Sequence, residues 1–148
     1  MIIIRQMVED DLDQIMRIEE ESFSSPWSRQ SMEQELAGDQ AHYFTACDEQ
    51  GEVIGYAGFW QVMDEGHIMN IAVRKDRQRK GIGQSLMEAM LSCGDALGIL
   101  YWTLEVRVSN LPAVRLYEKI GFTSAGIRPG YYQHPREDAN ILWLTRSI

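Results

Sequence analysis

Seven consecutive residues, Arg77-Gln78-Arg79-Lys80-Gly81-Ile82-Gly83, carry the strongest chemical signal of the chain. They follow an apolar, strand-like run from Ile68 to Val73 and open a helical pattern that extends from Ile82 to about Leu97. A strand that feeds a glycine-bearing turn at a helix start is an anion cradle. Glycine lets the backbone approach a ligand closely, and the unpaired N–H groups of the first helical turn point at it. Arg79 and Lys80 add positive charge at the same place. The spacing therefore predicts a ligand that carries phosphates. A Walker loop is excluded, because no Gly-x-x-x-x-Gly-Lys-Ser/Thr string occurs; a dinucleotide fingerprint is excluded, because Leu86 stands where its third glycine is needed. What remains is Gln/Arg-x-x-Gly-x-Gly/Ala, here Gln78 to Gly83. A plain glycine-rich turn flanked by solvated charges fits the same residues.

A second group of reactive side chains lies downstream, in Leu104-Glu105-Val106-Arg107-Val108-Ser109-Asn110 and in Ala113 to Phe122. Glu105 falls in a strand-like run whose alternate positions, Trp102, Leu104, Val106 and Val108, are apolar. Glutamate is a poor strand former and costly to bury alone; in a cleft it could take a proton from an amine, directly or through a water. A solvated edge glutamate, or one paired with Arg107, fits the spacing equally well. Tyr117 shares a helical run with Ala113, Val114, Leu116 and Ile120. It reads either as core with its hydroxyl hydrogen-bonded or as a proton donor to a leaving group. Asn110 would cap the helix Leu111 to Ile120 and could also hold an amide arm of a ligand. Trp27, Tyr131 and Tyr132 are candidate walls for an extended peptide, with ordinary packing as the other reading. The three histidines, His42, His67 and His134, share no ligand spacing, so no metal is expected. Cys47 and Cys93 lie beside no histidine or loop signal and read as buried thiols of a cytosolic protein.

The elements that must position these residues follow from periodicity and punctuation. Ile2 to Ile4 reads as a strand, Asp10 or Asp11 as the cap of a helix with apolar Leu12, Ile15, Met16 and Ile18, and Ser28 as the cap of a second helix through Leu36. Tyr43 to Cys47 and Val53 to Val62 read as a hairpin, and His67 to Val73 as the strand before the glycine loop. After the helix from Ile82 come a strand at Tyr101 to Val108, a helix at Leu111 to Ile120 with Gly121 as its αL stop, and strands at Phe122 to Ile127 and Asn140 to Leu144. Residues 128–138 read as irregular. This order predicts a mixed α/β sheet built as one domain over 1–148, with a β-α-β unit around the glycine loop.

At 148 residues the chain is long enough for a full core, and no apolar run approaches the ~18 residues of a membrane span. Met1 to Ile4, followed at once by Arg5, is too short for a signal peptide. The net charge of −8 is unevenly placed: residues 1–50 hold 12 acidic and 3 basic side chains, the remainder 10 and 11. Arg74, Lys75, Arg77, Arg79 and Lys80 against Asp76 make a local +4 at the phosphate loop. An acidic chain with one basic pocket is a poor nucleic-acid or membrane binder. It suits an anionic cofactor on one side and a cationic substrate on the other, although two wet helix faces would account for the acids as well.

The glycine loop resembles the acetyl-coenzyme A loop of the GNAT superfamily of N-acetyltransferases. Further strings resemble the RimI-type alanine N-acetyltransferases: Phe23-Ser24-Ser25-Pro26-Trp27-Ser28, Asn70-Ile71-Ala72-Val73, Leu104 to Arg107 with Ser109-Asn110, Leu116 to Phe122, Tyr131-Tyr132, and Glu137-Asp138-Ala139. The resemblance runs along the whole length and implies the GNAT acyltransferase fold. It implies acetyl-CoA as co-substrate, held by the backbone of Ile71, Ala72 and Val73, by the loop Arg79, Lys80, Gly81, Ile82, Gly83 and Gln84, and by Asn110. It implies Glu105 as general base and Tyr117 as general acid. The acceptor it implies is the N-terminal alanine of a small-subunit ribosomal protein; a cytoplasmic monomer is expected, although the sequence does not fix the oligomeric state. Arg128-Pro129-Gly130 departs from the Arg-x-Asn or Arg-x-x common in that family, which bears on acceptor breadth more than on chemistry. A small-molecule amine as acceptor, or a coenzyme A-binding module without catalysis, are the competing readings.

Overall fold

A computed structural model describes residues 1–146. The elements run β1 (Ile3–Gln6), α1 (Leu12–Ser22), α2 (Arg29–Ala37), β2 (Ala41–Cys47), β3 (Val53–Val62), β4 (Glu65–Val73), α3 (Ile82–Leu97), β5 (Tyr101–Arg107), α4 (Leu111–Ile120), β6 (Thr123–Tyr132) and β7 (Glu137–Thr145). The strands form one sheet in the order β1-β2-β3-β4-β5-β7-β6, in which only the β4–β5 pairing is parallel. The expected mixed α/β sheet is present, and β3, α3 and α4 begin and end where their patterns predict.

Three local readings need correction. Asp11 precedes α1 but its side chain does not cap it; the carboxylate instead accepts two bonds from the Arg5 guanidinium (2.7 and 2.8 Å) and one from the Val8 N–H (2.9 Å). A charged partner offers a buried acid more than a neutral amide does. Gly121 ends α4 at φ +123, a positive angle outside the αL region. The stretch 128–138 is mostly ladder: β6 continues to Tyr132 and β7 starts at Glu137, leaving 133–136 as the turn. Pro129 is tolerated because β6 is an edge strand, where a missing N–H costs no ladder bond. Pairing slips between Arg128 and Tyr132, around Gly130 at φ +61.

The two faces of the sheet bury separate clusters. Under α3 and α4 lie Phe59, Ile68, Leu86, Met90, Trp102, Leu104, Val106 and Tyr117. Under α1 and α2 lie Leu12, Ile15, Ile18, Met32, Tyr43, Tyr56 and Ala72. Alternation along β5 therefore turns Leu104 and Val106 toward α3 and α4, and Glu105 toward the α1/α2 side. Trp102, fully buried, fits only because its neighbours are Gly66 and Gly94; a Cβ on either would stand 2.6 or 2.2 Å from its ring.

Candidate active site

β4 and β5 pair only at Glu65↔Tyr101, Gly66↔Trp102 and His67↔Thr103. Both strands then run on, each still paired on its far side, β4 with β3 up to Val73 and β5 with β7 up to Arg107. The sheet thus parts in a V at its centre. A bulge in β4 marks the parting: Phe59 faces Ile68 and Gly58 faces Asn70, which leaves Met69 as the extra residue. A bulge bends its strand and reverses the alternation of side chains beyond it. Main-chain groups of 70–73 that point into the gap have no strand partner, so an amide-bearing ligand could add there as a strand.

The glycine loop begins where this free edge ends. Gln78 Nε2 donates to the Val73 carbonyl (3.1 Å), tying the loop to the strand end. Arg79 (φ +65) and Gly81 (φ +79) are both left-handed. No side chain caps α3, whose first internal bond runs from the Ser85 N–H to the Gly81 carbonyl (3.0 Å). The N–H groups of Ile82, Gly83 and Gln84 remain for an anion. The two glycines serve different ends. A Cβ on Gly81 would meet nothing within 4 Å, so its requirement is the backbone angle. A Cβ on Gly83 would lie 3.3 Å from Leu116 Cδ2, so its requirement is close packing of α3 on α4.

At the mouth of the V, His67 Nε2 lies 3.2 and 3.3 Å from the two carboxylate oxygens of Glu105. Both plain readings of Glu105 fail. β5 is a central strand, and Arg107 is engaged elsewhere, with the Pro135 carbonyl (2.9 Å) and Glu137 (3.3 Å). The Glu105 side chain is 15% exposed and that of His67 44%. The His67 hydrogen bond holds the Glu105 carboxyl below its ordinary range, against the opposing effect of burial. The Glu105 carboxylate in turn raises His67 above its usual 6.5. Sequence reasoning missed His67, weighed there only as a metal ligand. The signal available was alternation: His67, turned away from buried Ile68, shares the α1/α2 face with Glu105.

Tyr131 and Tyr132 meet edge-on with centroids 5.0 Å apart, Arg107 lying 4.4 Å over the Tyr132 ring and Arg128 5.2 Å over that of Tyr131. Burial, with Tyr131 and Glu105 adding to it, pushes the Tyr132 hydroxyl up to about 12; burial and Glu105 also raise Tyr131. Tyr117 is 5% exposed, its ring tilted against Phe122 at 5.9 Å. Burial raises its pKa, with Tyr132 adding. Its hydroxyl makes no hydrogen bond among the described residues, unlike the tyrosine of an ordinary core. Asn110 does cap α4, its Oδ1 accepting from the Ala113 N–H at a long 3.4 Å, and its amide NH2 is left over from that bond. Trp27 makes no aromatic pair with either tyrosine among the described residues. Its N–H is held at 2.9 Å by Glu19, a carboxylate 1% exposed that also accepts from the Tyr56 hydroxyl, and its ring packs on the α1/α2 cluster. Its loop reaches the β6–β7 turn through the Ser24 hydroxyl, which donates to the His134 carbonyl.

Residues 12–122 match the model of the acetyltransferase (GNAT) family. The chain belongs to that family. It is 37% identical to a putative ribosomal protein bS18-alanine N-acetyltransferase of Bacillus subtilis, over 96% of this chain and 94% of that one. It is 36% identical to the ribosomal protein bS18-alanine N-acetyltransferase of Escherichia coli K12, over 93% of each. The crystal structure of the Escherichia coli ribosomal-protein-S18-alanine N-acetyltransferase superposes with a TM-score of 0.91 at 35% identity, covering 100% of this chain and 96% of that one. The fold and the expected RimI-type resemblance stand, and the chain is an acetyl-CoA-dependent N-acetyltransferase. Among the described residues no helix is long and apolar enough to cross a membrane.

Proposed function

We propose that this enzyme moves the acetyl group of acetyl-CoA to the α-amine of an N-terminal alanine, on a small-subunit ribosomal protein in the cytoplasm. Support for the acceptor comes from the relatives named for that reaction. The observation that carries the chemistry is the Glu105–His67 pair at the mouth of the parted strands. The pyrophosphate of the co-substrate would rest on the free amides at the start of α3, beside Arg79 and Lys80. Its pantetheine arm would lie along Ile71 to Val73, with Asn110 near the amides and a backbone N–H near Val73 polarising the thioester oxygen.

An N-terminal amine has a pKa of about 7.7–8.0, against ~10.4 for lysine, so little basicity is needed to free it. That matters because the His67 contact makes Glu105 a weaker base than an isolated glutamate. As the amine attacks the thioester carbon, its surplus proton passes to Glu105, and His67, half exposed, relays it to water. The C–S bond breaks and the departing thiolate takes a hydrogen bond, then the proton, from Tyr117. With its pKa raised, Tyr117 keeps its proton through neutral pH and acts only as negative charge builds on sulfur. Attack is direct, and neither Cys47, buried, nor Cys93, whose pKa burial raises, forms an acetyl intermediate. Trp27, Tyr131 and Tyr132 would flank the acceptor chain.

Thiol release from acetyl-CoA decides the reading. The assay uses a short peptide beginning Ala-Arg, the same peptide with its α-amine blocked, and a polyamine. Turnover only with the free α-amine, lost in Glu105→Gln, supports it. Release with the polyamine alone refutes it in favour of a small-amine acceptor. Ping-pong kinetics would refute direct attack.

A further inference from the structure

On the α1/α2 side of the sheet an open hollow of about 820 Å³ lies along α2 and the loop that follows it, against the start of β2 and the end of β3. Its aromatic walls are Trp27 and Trp60, its charges are Glu35 and Asp39, and its lining has no basic residue. Glu35 is only partly occupied: Oε1 accepts from the Tyr43 hydroxyl and from Trp60 Nε1. Neither Glu35 nor Asp39 has a cationic partner among the described residues, although the nearby Glu33 and Asp13 share Arg29. Two indole walls and two carboxylates without a counter-ion are the chemistry of a guanidinium or ammonium site.

The sheet register fixes where this hollow lies relative to the catalytic groups. Trp60 pairs directly with His67, and His67 with Thr103, so Trp60, His67 and Glu105 project from the same face. Trp60 stands on β3 and Glu105 on β5, two strand spacings of ~4.8 Å across and two residues of ~3.3 Å along from the Trp60–His67–Thr103 row, or roughly 12 Å. An extended peptide covers that distance in about three to four residues. From these positions we infer that the hollow receives a basic side chain of the acceptor polypeptide, from about the third to the fifth residue after the acetylated amine. The site thereby selects a cationic N-terminal segment. This inference rests on the N-terminal acetyltransferase reading and extends it to acceptor choice. It also gives a use to the acid-rich first 50 residues that the cofactor site does not.

The test measures kcat/KM on peptides that begin with the same two residues and carry either arginine or glutamine at positions three to five. Wild type is expected to favour the arginine peptides by about tenfold, the scale of one cation–π contact and one ion pair combined. Glu35→Gln, which keeps an acceptor for Tyr43 and Trp60, and the exposed Asp39→Asn should reduce that preference to about twofold through KM. Turnover of the glutamine peptides should not change. Asp39→Lys should reverse the preference toward a glutamate peptide. Equal turnover of arginine and glutamine peptides by wild type overturns the inference while leaving the α-amine reading intact. So does a preference that survives both neutral variants. Failure to turn over any free-amine peptide removes both.

Discussion

The two faces of the sheet have different physics. The α3/α4 face carries the groups proposed to hold the donor: an uncapped helix start, a left-handed glycine, a run of unpaired strand edge, and a buried tyrosine whose hydroxyl has no hydrogen-bond partner among the described residues. The α1/α2 face carries the groups proposed to meet the acceptor: a carboxylate–imidazole pair and an acidic aromatic hollow, with the edge-on tyrosine pair beside them. They meet where β4 and β5 part. The contrast between helix starts makes the point locally. Ser28 and Asn110 cap α2 and α4 with side-chain oxygens, whereas α3 is left open. A cap removes orphan donors, so leaving them bare suits a site for an anion.

Changes on one face should therefore leave the other undisturbed, and the largest effect tests this at their junction. Glu105→Gln should lower kcat by about 10²–10³-fold with acetyl-CoA affinity unchanged, measured by steady-state kinetics alongside calorimetric binding. An equal loss of cofactor binding would show that the faces are not separable there. Tyr117→Phe keeps the ring packed on Phe122 and should cost about 10–10²-fold in kcat at near-normal Tm. A wild-type rate would remove Tyr117 as the acid.

On the donor side, Gly81→Val forces a β-branched residue into φ +79, where strain is of order 1–3 kcal/mol. It should weaken acetyl-CoA binding by about tenfold while acceptor KM holds. A raised acceptor KM would break the comparison.

The pH dependence sharpens the acceptor side. The mutual stabilisation of His67 and Glu105 is complete only while both are charged. For His67, raised above 6.5, it is present below that value and lost as pH climbs through the higher folded pKa. For Glu105, lowered, it is present above the ordinary glutamate pKa and lost as pH falls through the depressed one. kcat should rise with pH above 6.5, as His67 gives up its proton and frees Glu105 to accept one. In His67→Gln that rise should move to lower pH; an unmoved profile would detach His67 from proton transfer. The smallest effect is structural. Asn110→Ala should cost about 0.5–1 kcal/mol in a denaturant titration, because the cap bond is long. A larger fall in acetyl-CoA affinity than in stability would assign the amide to the ligand.

Much of this was legible in the chain because it is local. The period of α3 and α4, the glycine loop and the alternation along β5 are written within a few residues, and so were their elements. Trp27, Tyr131 and Tyr132 were singled out as aromatic, yet only the tyrosines came together. Alternating burial of Leu104 and Val106 placed Glu105 on a strand face but left its partner open.

What the sequence alone determined is the set of parts: strands, helices, a bare helix start, a glutamate and a tyrosine. Tertiary structure alone decided that Glu105 lies on a central strand beside His67, 38 residues earlier in the chain. It also decided that the bulge at Met69 reverses the alternation of β4, and that the sheet opens there. The reason is that pairing register and strand order link residues distant in sequence, and no local pattern encodes which rung is the last to close.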